Sequence, residues 1–219
     1  MGNEQSTNSS TLAAVILAAG MSRRMGRPKA LLDLGGKPLI QHMARTVLAA
    51  IPGIDLVIVT GHKPQAIREA LSGLPARFVH NSGFEAGEML SSVKAGVGAV
   101  KGKCDALLLC LLDQPAVLVA TLRALWSGWQ IDRPPLLAPC LRKKHGHPIV
   151  ISGNCIDEIL ALPADGSLRD LVSRHRPAMK TVNVDDPGVG SDLDTPEDYE
   201  EILKLVQSAR ADNQNAIGP

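Results

Sequence analysis

The chain has 219 residues, with 23 Lys and Arg against 22 Asp and Glu, 45% hydrophobic residues and 2% aromatic residues. This length suits one domain with a substantial core, and the balanced charge argues against a general nucleic-acid binder, which usually carries a basic excess. Two Phe, two Trp and one Tyr are too few for the stacking platforms of a single-strand binder, so the core must be aliphatic.

The N-terminal segment MGNEQSTNSSTL is polar, with neither a cationic start nor an apolar stretch, so it does not resemble a signal peptide. No apolar run approaches the roughly 18 residues that span a bilayer. The four cysteines show no CxxC spacing and lie in or beside apolar segments: Cys104, Cys110, Cys140 and Cys155. Buried free thiols are favoured over disulfides or a metal site, and we expect a cytoplasmic protein without membrane contact.

Seven short apolar or β-branched runs predict strands at 12–18, 55–60, 76–80, 105–112, 135–140, 148–152 and 178–184. The first, second and fourth runs are apolar on both faces, as expected of central parallel strands. Helical periodicity, prolines and capping signals predict helices at 38–50, 64–72, 87–99, 116–127, 167–173 and 196–209. Pro38 and Pro64 are predicted to lie in the first turns of the first two helices.

The alternation of strands and helices predicts an α/β fold with a Rossmann-like, doubly wound and mostly parallel sheet. The sequence shows no internal repeat of fixed period, so we expect a single domain at 12–208. The ends at 1–11 and 209–219 are polar and lack periodicity, which predicts disordered tails.

A basic loop follows the first predicted strand in LAAGMSRRMGRPKALL, residues 17–32. Its cations fall within seven residues that contain no acid: Arg23, Arg24, Arg27 and Lys29. Gly20 and Gly26 would let the backbone approach phosphates closely, although the spacing is neither Walker A nor GxGxxG. A solvated basic loop is the alternative, but the position directly after a buried strand favours phosphate binding.

Asp113 is the first charge after the fourth strand, in LLDQPAV. The carboxyl ends of parallel strands form the ligand crevice of such sheets, so Asp113 should face the basic loop. A carboxylate beside polyphosphate is best explained as a Mg²⁺ ligand. A turn or helix-capping Asp before Pro115 is the equally weighted alternative.

An acidic segment, DDPGVGSDLDTPEDYEE at residues 185–201, holds eight acids and no Lys or Arg. Most of these acids suit a solvated helix start, where negative charge complements the helix dipole. Asp192 and Asp194 alternate about Leu193, so their side chains would share one face of an extended segment. One or both could supply a second Mg²⁺ ligand.

Two further segments carry weaker signals. In RKKHGHPIV, Gly146 and His147 enter a strand behind a basic stretch that could meet an anionic second substrate, although a histidine in a turn is commonly structural. In HNSGFEAGEMLSSVKAG, residues 80–96, three side chains suit either helix capping or hydrogen bonding to a base edge: Asn81, Ser91 and Ser92.

In this order, the segments resemble the MobA-like nucleotidyltransferase family, and most closely its molybdenum cofactor cytidylyltransferase branch. The similarity runs from about residue 13 to 205 and rests on LAAGMSRRMGRPKALLDLGGKPL, NSGFEAGEMLSSV, LDQP, GHPIV and SDLDTPEDY. The first and last of these are specific in combination. The resemblance implies a fold of the nucleotide-diphospho-sugar transferase type that binds a nucleoside triphosphate with Mg²⁺.

The resemblance also implies roles for individual residues. The nucleotide pocket would be lined by Leu17, Ala18, Ala19 and Gly20. The triphosphate would be bound by Arg24 and Lys29, which with Asp113 form the catalytic set. The metal would be held by Asp113 and Asp194, with Asp192 as neighbour. The base and ribose would contact Asn81, Gly87, Ser91 and Ser92, and the acceptor would meet Gly146 and His147.

The reaction implied is transfer of a nucleoside monophosphate to an acceptor phosphate with release of pyrophosphate. The loop reads LAAG where guanylyl-transferring relatives usually have LAGG, which favours CTP. The favoured acceptor is the molybdopterin form of the molybdenum cofactor, with a molybdoenzyme or its chaperone as a protein partner. Leu112, where relatives often have Gly, and Ser191, where an apolar residue is common, could reshape the acceptor pocket.

Two alternatives remain beside this function. One is a transferase of the same fold that acts on a sugar phosphate or an isoprenoid precursor. The other is a nucleotide-binding regulator without turnover, against which the retention of the predicted catalytic and metal residues argues.

Overall fold

The computed structural model describes residues 10–22, 25–86 and 88–215, with side chains as far as 209. Within this part of the chain the strands form one mixed sheet: β1 Leu12–Ala18, β2 Asp55–Thr60, β3 Arg77–His80, β4 Ala106–Leu111, β5 Leu136–Leu141, β6 Lys144–His145, β7 Ile149–Ser152 and β8 Lys180–Asn183. The spatial order is β3-β2-β1-β4-β7-β5-β6, with β8 paired to β5. Strands β3, β2, β1 and β4 are parallel neighbours, whereas β7 runs antiparallel between β4 and β5.

The helices pack on both faces of this sheet: α1 Leu39–Ala50, α2 Pro64–Ala70, α3 Met89–Val100, α4 Val119–Asp132, α5 Ile156–Ala161, α6 Leu168–His175 and α7 Pro196–Asn215. Helix α6 begins with a capping box, in which the Ser167 N–H donates to Asp170 Oδ2 at 2.7 Å. Thr195 and Asp198 form the same reciprocal pair at the start of α7. Each box satisfies N–H groups that the first helical turn leaves without intrahelical partners.

The predicted fold class is confirmed, and each predicted strand is present within two residues of its expected ends. Two short elements were not predicted. Strand β6 has only two residues after a turn at Arg142 and Lys143, which have positive φ values of 48° and 70°. Helix α5 has six residues, too few to give a helical period.

Several helix ends also differ from expectation, and those of α4 shift from the predicted 116–127 to Val119–Asp132. Pro38 caps α1 instead of lying in its first turn, because its ψ of 139° is extended and the helix starts at Leu39. Helix α7 continues past the predicted end at 209 to Asn215.

The core consists of aliphatic layers on the two faces of the sheet, as the composition requires. Alternate residues of β1 serve opposite layers: Ala14 and Ile16 face one, Ala13 and Val15 the other. Helix α3 lies close to the sheet at Gly96, where an added Cβ would be 2.4 Å from Val15 Cγ1. All four cysteines are free, as expected. Within the described part of the chain, no helix combines the length and apolar character needed to cross a bilayer.

Candidate functional site

The carboxyl ends of β1 and β4 lie side by side in the sheet and open onto a chamber of about 450 Å³. Its wall includes the end of β1 and the turn after it, from Leu17 to Ser22, together with Lys29, Ser92 and Asp113. The Ser22 side chain shapes the basic loop, because its Oγ accepts from the Lys29 N–H at 2.9 Å. The predicted nucleotide-pocket residues Leu17, Ala18, Ala19 and Gly20 all line this chamber, whereas Arg24 lies outside the described residues.

Lys29, which lines the chamber, contacts the acidic segment. Its Nζ donates to Asp194 Oδ1 at 2.8 Å, and the lysine side chain keeps only 15% of its exposure. The cation predicted to bind phosphate therefore touches one of the carboxylates predicted to bind metal. This ion pair connects the two charged segments that the sequence places at opposite ends of the chain.

Asp113 also lines the chamber, from the turn that follows β4. Its carbonyl oxygen accepts from the Leu193 N–H at 2.7 Å, which fixes the acidic segment against this turn. Its side-chain Oδ1 is buried and has no hydrogen-bond partner among the described residues. Burial raises the pKa of the Asp113 carboxyl, the nearby Asp192 raises it further, and Lys29 opposes the shift.

A buried carboxylate oxygen without a partner fits a bound cation, which would supply the missing ligand and the missing positive charge. Asp192 and Asp194 both act electrostatically on Asp113, so all three predicted metal residues share one region. They are not drawn tightly together: within the described residues, these three do not form a cluster with one oxygen each inside 4.8 Å. The donor set suits a hard divalent cation such as Mg²⁺, which prefers oxygen ligands.

Gln114 is a site residue that the sequence interpretation did not single out. Its Nε2 donates to Asp192 Oδ1 at 2.7 Å, while its Oε1 accepts from the His147 N–H at 2.8 Å. One amide therefore joins the turn after β4, the acidic segment and the turn before β7. The only sequence signal was its place in LDQP, directly after the candidate metal ligand.

A buried carboxylate, that of Asp186, also holds the acidic segment in place. Asp186 is 1% exposed, and its Oδ2 accepts from the Leu118 N–H at 2.9 Å and from Thr121 Oγ1 at 2.6 Å. Gly188 allows the close approach, since an added Cβ would lie 2.3 Å from the Ala116 carbonyl oxygen. Asp186 is therefore an exception in a segment whose other acids outside the metal pair are mostly exposed, as expected: Asp185, Glu197, Glu200 and Glu201.

Asn81 and the two serines form a small hydrogen-bonded group between β3 and α3. Asn81 is 6% exposed, and its Nδ2 donates to Ser91 Oγ at 2.8 Å and to Ser92 Oγ at 3.0 Å. Its Oδ1 accepts from the Gly83 N–H at 3.0 Å. Asn81 thus holds the start of α3 in place, and Ser92 lines the chamber. Direct contact of these residues with a base stays a prediction, and Gly87 lies outside the described residues.

A second and larger chamber, of about 990 Å³, opens on the far side of Asp113. The two chambers share four lining residues: Glu88, Met89, Leu111 and Asp113. The second is walled by Gly146 and His147 on one side and by α6 on the other, with Arg169 and Arg176 as cations. This places the predicted acceptor residues in a separate space that meets the first chamber at a carboxylate.

His147 presents a polar atom that the described residues leave unpaired. Its Nδ1 is buried without a hydrogen-bond partner, and the ring lines the second chamber. Burial lowers the pKa of His147, so the imidazole is neutral at neutral pH. A backbone hydrogen bond to Leu109 and the charge of Asp192 oppose this lowering of the pKa.

Two chambers that share lining residues on the crevice side of a mostly parallel sheet lie where such folds bind their ligands. The family model described as the MobA-like NTP transferase domain matches residues 14–179. The chain belongs to this family and is a nucleotidyltransferase.

Two characterised relatives cover most of the chain. Nicotine blue oxidoreductase of Paenarthrobacter nicotinovorans is 30% identical over 206 residues, or 88% of this chain and 96% of the relative. Molybdenum cofactor cytidylyltransferase of Escherichia coli K12 is 26% identical over 196 residues, or 87% and 94%.

Solved structures share the same architecture. A manganese complex of Rv0371c from Mycobacterium tuberculosis H37Rv superposes with a TM-score of 0.74 at 25% identity, covering 89% of this chain and 99% of that one. A CMP:2-keto-3-deoxy-manno-octonic acid synthetase complexed with CTP has a TM-score of 0.73 at 19% identity, covering 91% and 99%, and shows the fold alone.

Proposed function

We propose that this enzyme transfers CMP from CTP to the phosphate of an acceptor, the molybdopterin form of the molybdenum cofactor, and releases pyrophosphate. The observation that carries the proposal is the junction of the two chambers at Asp113, where a nucleotide and an acceptor could meet. The Ala19 of LAAG and the cytidylyltransferase relative support CTP as donor. The reaction would take place in the cytoplasm, and a molybdoenzyme or its chaperone would receive the product.

In this proposal the first chamber holds the triphosphate at the turn after β1. Lys29 lines this chamber and offsets negative charge on the triphosphate and on the leaving pyrophosphate. Mg²⁺ would be held by Asp113 with Asp194 or Asp192, and it would supply charge neutralisation at the reacting phosphates. The turn from Ala18 to Gly20 lines the space that the nucleotide occupies.

The acceptor phosphate attacks directly, without a covalent enzyme intermediate. An oxygen of this phosphate bonds to the α-phosphorus as the bond from the α-phosphorus to the bridging oxygen breaks, and pyrophosphate leaves with that oxygen. Within the described residues, no cysteine lines either chamber, so neither offers a thiol nucleophile. His147 orients the acceptor from the wall of the second chamber, and the cations Arg169 and Arg176 offset its charge.

Pyrophosphate release tests this proposal. The purified enzyme is supplied with Mg²⁺ and each of the four NTPs, against a molybdopterin-type acceptor and against sugar phosphates and isoprenoid precursors. We expect release with CTP and the molybdopterin-type acceptor. Release with CTP and another phosphorylated acceptor would replace the acceptor while keeping the reaction. No release with any pair, despite measurable nucleotide binding, would indicate a nucleotide-binding regulator.

A further inference from the structure

A cluster of three potential metal ligands lies outside both chambers. It consists of Cys155, in the turn after β7, Glu158 on α5 and His175 at the end of α6. One ligand atom from each residue lies within 4.8 Å of the other two. Within the described residues, this is the one group of three His, Cys, Asp or Glu side chains that meets this criterion.

Both partners of the histidine converge on the same ring nitrogen. His175 Nε2 is 3.0 Å from each carboxylate oxygen of Glu158 and 4.0 Å from Cys155 Sγ. A Cys-His-acid relay would use two different ring nitrogens, one for the thiol and one for the carboxylate. Convergence on one nitrogen instead places three donor atoms around a common centre.

From this geometry we infer that Cys155, Glu158 and His175 bind a Zn²⁺ ion. Zinc accepts sulfur, nitrogen and oxygen donors, and bonds of about 2.0–2.3 Å place tetrahedral ligand atoms roughly 3.3–3.6 Å apart. The observed separations of 3.0 and 4.0 Å need only sub-ångström adjustment to reach that spacing. The Glu158 and His175 side chains are 35% and 21% exposed, so water can complete the coordination of the ion. Cys155 is 2% exposed and lies on the buried side of the site.

Binding displaces two protons from their ligand atoms: the thiol proton of Cys155, and the Nε2 proton that His175 donates to Glu158. The Nε2 proton moves to Nδ1 or to solvent, so that Nε2 can bind the ion. Burial, with a smaller contribution from Glu158, raises the pKa of the Cys155 thiol to about 11, so the thiol is protonated in the metal-free protein. The thiolate is the ligand, and its proton passes to solvent as the Zn–S bond forms. Glu158 is already ionised, because hydrogen bonding from His175 lowers the pKa of its carboxyl.

The position of this site gives it a structural role. Helix α6 forms part of the wall of the larger chamber through Leu168, Arg169 and Val172, and His175 is its last residue. A bound ion would fasten that end of α6 to α5 and to the turn after β7. The site thus stabilises the wall of the chamber without entering it, and it does not depend on the proposed transfer reaction.

Metal binding by the purified full chain tests the inference. The measurement uses the Asp113→Asn protein, because this substitution weakens metal binding by the carboxylates of the chambers. We expect it to bind one Zn²⁺ per chain in equilibrium dialysis. Co²⁺ should give a thiolate-to-cobalt charge-transfer band in the near ultraviolet, which carboxylates cannot produce. At free Zn²⁺ of about 100 times Kd, Tm should rise by roughly 5–10 °C.

Matched variants separate the metal site from a simple ion pair. Cys155→Ser keeps the contact between Glu158 and His175 and should abolish the band and the Tm increase. Cys104→Ser changes another free thiol whose pKa is also raised to about 11, and it should leave both intact. Failure of the Asp113→Asn protein to bind Zn²⁺, or equal binding after Cys155→Ser is added to it, would overturn the inference.

Discussion

Lys29 and Asp194 form a 2.8 Å ion pair across 165 positions of sequence. The pair joins the basic loop after β1, whose Lys29 lines the smaller chamber, to the acidic segment before α7. The two groups neutralise each other in the ligand-free protein. A triphosphate with its metal would offer each of them a new partner of opposite charge.

Lys29→Ala should lower the rate of pyrophosphate release by about 10²–10³-fold, or about 3–4 kcal/mol, because one charge contact to the transition state is lost. Lys37→Ala is the matched control, since Lys37 is exposed and belongs to the same stretch of chain. We expect wild-type kcat/KM for that control. Full activity in Lys29→Ala would remove Lys29 from the transfer mechanism.

Asp113→Asn should lower the transfer rate by a similar factor while the fold is retained. Because the pKa of Asp113 is raised in the folded protein, the unfolded chain releases this proton more readily. Ionisation therefore costs folded-state stability once the pH exceeds the ordinary carboxyl pKa of about 4. The metal-free variant should be at least as stable as wild type at pH 7, and the difference should vanish at pH values below about 4.

Thermal unfolding of both proteins across this pH range, with and without Mg²⁺, measures these effects. Mg²⁺ should raise the Tm of the wild type more than that of Asp113→Asn, because the variant lacks one anionic ligand. An equal Mg²⁺ effect in the two proteins would show that Asp113 is not a metal ligand.

Gln114→Ala removes both hydrogen bonds that hold Asp192 and the turn at His147. One of these bonds has a charged acceptor, so a loss of about 1.5–3 kcal/mol is expected, or roughly 10–100-fold in kcat/KM. The exposed Gln65→Ala serves as control. Because Gln114 holds Asp192 and also lines the larger chamber, the effect should appear as a raised KM for acceptor and a changed Mg²⁺ requirement. An unchanged KM and Mg²⁺ profile would contradict this positioning role.

His147→Ala should raise KM for the acceptor, while the affinity for nucleotide stays at its wild-type value. The reason is its location: His147 lines the larger chamber and is absent from the lining of the smaller one. Steady-state kinetics with each substrate varied in turn, together with nucleotide binding by calorimetry, measure the two effects separately. A parallel loss of nucleotide affinity would mean that the two chambers do not hold different substrates.

Much of this architecture could be predicted from local signals. Apolar runs such as LAAVILA and ALLLCL predict strands because side chains buried on both faces of a sheet must be apolar. The pair of Ser167 and Asp170 predicts a helix start because the capping box acts within four residues. Asp113 and Lys29 could be chosen as candidates because charged groups directly after buried strands reach the crevice of such a sheet.

Other features depend on contacts between distant segments. Nothing in the sequence near β7 indicates that it inserts antiparallel between β4 and β5, since strand order follows from the packing of the whole sheet. The hydrogen bonds of Gln114 join segments 33 and 78 residues away. Cys155 and His175 are 20 residues apart, without the close spacing that marks a metal site in a sequence.

The sequence by itself determined the fold class, the aliphatic core and the chemical character of the candidate site, because secondary structure and burial respond to short-range patterns of polarity. Only the tertiary structure decided that two chambers share Asp113, that Gln114 ties three segments together, and that a thiol, a carboxylate and an imidazole converge beside α6. These contacts depend on how helices and loops pack around the sheet. Packing brings together residues that are far apart in the sequence, and no periodic pattern in the sequence reveals such pairs.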